Sequence, residues 1–241
     1  MTGPLAGMTA IVTGAGRGIG RALALALASE GVNIVAAART SAEVAQVADE
    51  AVRRGVGALP VTADLTKEAD ITAMISAAAE KFGRIDILVN NAGIGHFAPV
   101  RDMQTAHFDA MWSVNMRGLF LTTRAVLPFM ERQNSGDIVN IASLAGRNAF
   151  TGGAGYAATK WALIGFSRCL MLEVREKNIR VITLCPGSVD TTFGGAAASS
   201  LKSRGSIPGA GDIATVAVNT LRMPRHVMVS EVDIRPTNPK G

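Results

Sequence analysis

The chain has 241 residues, 24 Lys and Arg against 19 Asp and Glu, a formal net charge of +5, and 48% hydrophobic against 18% charged residues. A chain this long and apolar, with a mean hydropathy of +0.27, buries its own core, which excludes disorder and any need for a disulfide or metal staple; Cys169 and Cys185 make no framework, and no CxxC or Cys/His cluster points to zinc. The opening MTGPLAGMTAIVTGAG has no basic stretch ahead of an apolar one, and the longest apolar run, ALALALA, is far short of the ~20 residues that span a bilayer, so a cytoplasmic protein with no membrane partner is expected.

Apolar, β-rich runs alternate with helical periodicity. Residues 8–13 (MTAIVT) predict a strand, followed by a glycine-rich turn and a helix over 18–30. A second strand is predicted at 33–38, then a helix over 41–54 with Ser41 as its N-cap. A strand at 58–62 and a helix over 67–82 come next, followed by a strand at 85–90 (IDILVN). A long helical stretch runs over 105–132. The strand 137–142 (DIVNIA), a helix over 154–177 and the strand 179–184 (IRVITL) follow. Residues 191–210 are rich in Gly, Ala and Ser, and 192–210 read as a substrate lid. A helix over 212–221 and a strand at 226–234 end the pattern. Strands that are near-continuous apolar runs are buried on both faces. Their alternation with helices predicts an α/β fold: a doubly wound, parallel, seven-stranded sheet with helices on both faces. No linker or repeat divides the chain, so residues 1–241 read as a single domain.

Thr13–Gly20 reads TGAGRGIG between the first strand and the first helix, the context of a dinucleotide-binding turn. Gly14 lets the chain turn, Gly18 lets the backbone approach a pyrophosphate, and Gly20 lets the helix pack close to the sheet, with Ile19 in the same turn. The helix N-terminus offers free N–H groups to phosphates. The end of the second strand decides between NAD(H) and NADP(H). An NAD site usually carries an acid there for the ribose 2′-hydroxyl. Here the segment is AAART, with no acid between Glu30 and Glu43. Arg39 suits a 2′-phosphate, Arg17 adds a second positive charge and Thr40 a hydroxyl. NADP(H) is therefore preferred over NAD(H).

Tyr156 and Lys160 stand at i and i+4 on one helix face. An ammonium beside a phenol favours the tyrosinate and lowers its pKa, giving a general acid and base for carbonyl and alcohol chemistry. Tyr156 is the chain's one tyrosine. Ser143, at the end of the fifth strand, can hydrogen-bond a reacting oxygen. TGAGRGIG, NNAG at 90–93, Ser143, YAATK at 156–160 and Pro186–Gly187 occur in that order, and the chain resembles the short-chain dehydrogenase/reductase family over residues 6–234. The resemblance implies a Rossmann fold and a hydride transfer between NADP(H) and a small carbonyl or secondary alcohol. It implies Asn115, Ser143, Tyr156 and Lys160 as catalytic residues. Asn115 would anchor a water for proton relay, and Lys160 would also hold the nicotinamide ribose. Asp64 and Leu65 resemble the adenine-binding turn; Asn90, Asn91, Ala92 and Gly93 resemble the strand end along the adenosine ribose. Pro186, Gly187, Val189 and Thr191 resemble the turn that holds the nicotinamide amide. A homotetramer or homodimer is implied, built on the long helices.

The ending SEVDIRPTNPKG departs from the Gly-Gly ending of many 3-oxoacyl-acyl-carrier reductases, whereas the positive charge would suit an acidic carrier protein. A 3-oxoacyl-carrier reductase is thus the alternative enzyme, and a non-catalytic NADP-binding protein the alternative outside catalysis. Epimerase and dehydratase relatives have a longer chain with a separate substrate region. A nucleic-acid partner is not expected, because no run of five like charges occurs and only eleven aromatic residues are present. His96 is weighed as a substrate contact, His107 and His226 as structural or exposed, and Phe150, Thr151 and Phe193 as pocket walls. Cys169 and Cys185 read as packing residues.

Overall fold

In the computed structural model, which describes residues 3–191, 193 and 207–238, seven strands form where apolar runs meet. They are Thr9–Thr13 (β1), Asn33–Ala38 (β2), Ala58–Thr62 (β3), Ile87–Asn90 (β4), Gly136–Ile141 (β5), Ile179–Pro186 (β6) and Glu231–Ile234 (β7). All pair in parallel, in the order β3-β2-β1-β4-β5-β6-β7. β1, β4, β5 and β6 are buried along their whole length, as strands covered on both faces must be.

Side chains alternate between the two faces. Ala10, Val12, Ile34, Ala36, Val89 and Ile182 pack against three helices, Gly18–Ser29 (α1), Ser41–Val52 (α2) and Ala210–Leu221 (α7). Ile11, Val35, Leu88, Ile138 and Val181 pack on the other face, against Glu68–Phe82 (α3), Leu119–Gln133 (α5) and Ala154–Val174 (α6). Chain order reverses between β1 and β4, and an open α/β sheet places its crevice at the strand ends beside such a point. The expected Rossmann architecture is therefore present, with every helix-bearing crossover where the alternation put it.

Four local expectations need correction. The helix over 41–54 begins at Ser41 itself. Thr40 takes the cap position, and its side chain makes no capping bond. The stretch 105–132 is not one helix. Thr105–Trp112 (α4) runs into a π-helical segment, Ser113–Gly118, before α5. There Asn115 bonds both backbone groups of Ile94, and the turn widens around that anchor. The helix from 154 ends at Val174 and gives way to one 3₁₀ turn, Arg175–Lys177. Only Glu231–Ile234 of the expected strand 226–234 is a strand. The carbonyls of Leu221, Met223 and Val227 accept from the buried guanidinium of Arg180, which is itself held by Asp137 at 2.6 Å. Val227 O is thereby taken by a side chain, while Ser230 O still reaches the sheet edge, accepting from Thr183 N–H at 2.8 Å. The expected lid lies outside the described residues at 192 and 194–206, and Ala210 already belongs to α7.

Candidate active site

A cavity of about 1010 Å³ opens along the carboxyl ends of the strands. Its floor begins at the glycine turn. Gly14 has φ +64, and a Cβ there would stand 2.9 Å from the Asn91 side chain. Asn91 ties β4 to this turn, since its Nδ2 donates to the carbonyls of Thr13 (2.9 Å) and Gly14 (3.2 Å). The Thr13 hydroxyl donates to Val89 O and accepts from the N–H groups of Asn91 and Ala92. The cap position of α1, Arg17, makes no side-chain cap bond, and its first turn holds no acid. Free N–H groups at a positive helix end, bordering an open cavity, are a cradle for an anion.

The cavity collects nearly every residue the sequence singled out. Gly14, Arg17, Gly18, Ile19, Arg39, Thr40, Asp64 and Leu65 line one end. Asn91, Ala92, Gly93, Pro186, Gly187, Val189 and Thr191 line its length, and Ser143, Tyr156 and Lys160 line the other end. Gly20 is buried behind the glycine turn, in the packing position expected of it. Asn115 lies just outside the wall. It is 1% exposed, and its Oδ1 comes within 3.4 Å of where a Cβ of Gly93 would be. Asp64 is held below the usual carboxylate range by the backbone N–H of Thr66, with Lys67 and Arg39 adding to the effect.

At the far end, Tyr156 is 7% exposed and Lys160 5%. The lysine Nζ donates to Ile141 O at 2.9 Å and sits 5.7 Å from the centre of the Tyr156 ring. Burial pushes the phenol up to about 12, against the Ser143 hydroxyl bond that pulls it down. Burial also brings Lys160 down to about 8. The expected lowering of the phenol by the ammonium does not appear: burial dominates Tyr156, and the Lys160 Nζ is bonded to the Ile141 carbonyl. Ser143 Oγ also accepts from Ala145 N–H at 3.1 Å, at the head of a short turn, Leu144–Gly146. Thr159 links Asn115 to this helix, accepting from its Nδ2 at 3.1 Å and donating to Tyr156 O at 2.8 Å.

Aromatic rings surround the phenol. Phe97 meets Tyr156 edge-on at 5.4 Å and Phe193 lies 5.8 Å away, with Phe150 6.0 Å beyond Phe97. Phe150 and Phe193 were expected as walls; Thr151 does not reach the cavity, and Phe97 was missed. Glu43, Arg235 and Pro236 were missed as well. Pro236 borders Gly187, so the departing C-terminal sequence builds part of the wall. None of these four carries a local sequence signal, because tertiary contact alone brings them to the cavity.

Some residues go elsewhere. Asn90 turns away from the cavity, donating to Thr123 Oγ1 and Asn140 Oδ1 in the core under α5. Asn140 passes the chain of bonds on to Ser167. His96 stacks flat on His107 with centroids 4.0 Å apart, outside the lining, and burial keeps it below the usual histidine range. Cys185 is buried and Cys169 exposed on α6. Among the described residues, no group of three or more His, Cys, Asp or Glu could hold a metal, and no helix is long and apolar enough to cross a membrane.

Residues 8–201 match the family described as short chain dehydrogenase. The sepiapterin reductase of Chlorobaculum tepidum is 33% identical over 235 residues, 95% of this chain and 96% of that protein. The crystal structure of a metagenomic short-chain oxidoreductase in complex with NADP matches with a TM-score of 0.85 at 36% identity, over 97% of this chain and 99% of that one. The 3-ketoacyl-(acyl-carrier-protein) reductase of Brucella melitensis, complexed with NADH, matches with a TM-score of 0.86 at 34% identity, over 95% of this chain and 97% of that one. With a parallel Rossmann sheet, an open glycine turn and a cavity running from it to Tyr156, the chain belongs to the short-chain dehydrogenase family of oxidoreductases.

Proposed function

We propose that the chain reduces a small carbonyl compound, or oxidises the matching secondary alcohol, with NADP(H) preferred and Tyr156 as general acid and base. One observation carries the reading: the phenol of Tyr156 is buried at the cavity end opposite Arg17 and Arg39, beside the Ser143 hydroxyl and the Lys160 side chain. Those ends are the stations a dinucleotide with a 2′-phosphate would join. Gly14, Gly18, Ile19 and the first turn of α1 would hold its pyrophosphate, and Arg17, Arg39 and Thr40 its 2′-phosphate. Asp64 and Leu65 would border the adenine. Asn91, Ala92 and Gly93 would run along the middle, with Pro186, Gly187, Val189 and Thr191 at the nicotinamide. The bound dinucleotide supplies a hydride to the carbonyl carbon, or accepts one from the alcohol.

The chain's own residues handle the proton. With its pKa near 12, Tyr156 keeps its proton at neutral pH and donates it to the carbonyl oxygen during reduction. Ser143 donates a hydrogen bond to the same oxygen as negative charge develops. Lys160, with a pKa near 8, is charged at neutral pH and, anchored on Ile141 O, would hold the nicotinamide ribose. Asn115, tied to Ile94 and Thr159, is the proposed anchor of the relay that returns a proton to Tyr156. The rings of Phe97, Phe150 and Phe193 favour a substrate with an apolar body.

The test is Tyr156→Phe, assayed with NADPH against ketones, 3-oxo acids, 3-oxoacyl thioesters, diketones and sugars. Turnover is expected to vanish while NADPH still binds. Undiminished turnover would overturn the assignment. The preferred panel member also decides against or for the acyl-carrier alternative.

We further infer a cytoplasmic homotetramer or homodimer. Trp161, Gly165, Cys169 and Leu172 fall at helical spacing on α6 and are all exposed, a stripe suited to a second copy. Sedimentation at monomer mass across a concentration series would overturn it.

A further inference from the structure

Glu43 stands at the adenosine end of the cavity with Arg17, Arg39 and Thr40. It comes from the first turn of α2 and rests on the glycine turn at Gly16. A Cβ on Gly16 would lie 2.8 Å from Glu43 Cβ and collide with the carboxylate. Only the bare backbone of glycine lets the acid sit there. Among the described residues, no ion pair within 4 Å engages Arg17, Arg39 or Glu43. The end of the cavity therefore presents two cations, Arg17 and Arg39, and two anions, Asp64 and Glu43; Asp64 is engaged by the N–H and hydroxyl of Thr66 and acts on Arg39, whereas the Glu43 carboxylate is open to a ligand.

These charges act differently on the two nicotinamide dinucleotides. A 2′-phosphate, with a charge of about −1.5 to −2 at pH 7, is drawn by the arginines and repelled by the carboxylate. A ribose 2′-hydroxyl is a neutral donor, for which a carboxylate is a strong acceptor and an arginine offers nothing special. The absence of an acid at the end of β2, which favours NADP(H) on sequence alone, is thus partly made good from α2.

We propose that Glu43 is a cofactor-discriminating residue: its carboxylate accepts from the 2′-hydroxyl of NAD(H) and opposes the 2′-phosphate of NADP(H), so that the chain takes both and its preference for NADP(H) is narrow. The inference rests on the dinucleotide reading of the cavity and not on the identity of the carbonyl substrate.

The experiment is a titration of the full chain with NADPH and NADH, following nucleotide fluorescence, for the natural protein and for Glu43→Gln and Glu43→Ala. No carbonyl compound is present. Glu43→Gln is expected to tighten NADPH about tenfold, the scale of removing one like charge at a partly exposed site, and to change NADH by less than about threefold. Glu43→Ala is expected to tighten NADPH similarly and to weaken NADH about three- to tenfold, since no acceptor remains. Ratios of the two dissociation constants within about twofold of the natural protein in both variants would overturn the role of Glu43 while leaving the dinucleotide reading standing. Failure of the natural protein to bind either dinucleotide would overturn that reading and the inference with it. The two variants are independent, so misfolding of one leaves the other decisive.

Discussion

The two ends of the cavity solve opposite physical problems. At the glycine turn, charge is exposed and loosely held: Arg17 and Arg39 are solvent-accessible, and the backbone of α1 does the close work. At the tyrosine end, polar groups are sealed in. Tyr156, Lys160 and Asn115 sit among apolar and aromatic neighbours, and each has its proton state or its hydrogen bonds fixed by them. An exposed charge costs little to keep and, screened by water and salt, discriminates modestly. A buried titratable group costs stability, and its reactivity is set by what it cannot escape. On the proposed reading, binding choice and chemistry are separated along one cleft, and that separation is open to attack from both ends.

The largest expected effect is at the sealed end. Tyr156→Phe removes one oxygen from a largely buried position, and no other tyrosine exists to replace it. Turnover should fall by about 10³-fold or more, in the upper range for loss of a general acid. NADPH affinity should stay within about twofold, because a hydroxyl removed from the far end leaves the phosphate contacts intact. A parallel loss of binding would mean that the two ends are not separable.

Lys160→Met probes the cost of the same burial. The folded-state pKa of Lys160 lies near 8, below its ordinary 10.5. Between those values the unfolded chain binds more protons than the folded one, so stability from this group rises with pH from about 8 to 10.5 and the full penalty is felt below 8. Methionine fills similar volume without charge but leaves Ile141 O without its donor. The variant should therefore be more stable than the natural protein at pH 7, by about 1–2 kcal/mol, and lose that advantage by pH 10. Thermal melts at the two pH values check it. A variant that is less stable at pH 7 would show that the hydrogen bond outweighs the desolvation.

Legibility follows the same division. Gly14, Gly18, Arg39, Ser143, Tyr156 and Lys160 all reach the cavity, because each lies at a fixed distance from a strand end or along a helix, and such spacing survives folding unchanged. β1, β4, β5 and β6 were readable because a strand buried on both faces must be apolar throughout, whereas β7, only partly covered, was expected five residues too long. What spacing does not encode is partnership across the fold. Asn90 and Asn91 are neighbours, yet Thr123 and Asn140 draw one into the core while Thr13 and Gly14 hold the other at the cavity. The π-helical turn at Asn115 exists because Ile94 stands opposite it. The raised phenol of Tyr156 reflects its burial by groups from other elements, which i and i+4 spacing does not encode. Glu43 reached the cavity through the accident of a glycine at 16, twenty-seven residues away in sequence.

The smallest expected effect tests the exposed end, and salt is the instrument. Arg39→Ala should weaken NADPH binding about tenfold and leave NADH within about twofold, the loss of one charge-assisted phosphate contact. Raising the salt from about 50 mM to about 500 mM shortens the screening distance from roughly 14 Å to roughly 4 Å, comparable to the spacing of groups around a phosphate. NADPH binding to the natural protein should then weaken by about threefold relative to NADH, and Arg39→Ala should show less of this dependence because one of the charges being screened is gone. Tyr156 and Lys160 are largely buried, so turnover at saturating NADPH should hardly move over the same range. Equal salt sensitivity of NADPH and NADH would place the discriminating charges somewhere other than Arg17 and Arg39. Salt-sensitive turnover at saturation would show that the tyrosine end is wetter than its burial implies, since screening needs mobile ions within reach of the charge it weakens.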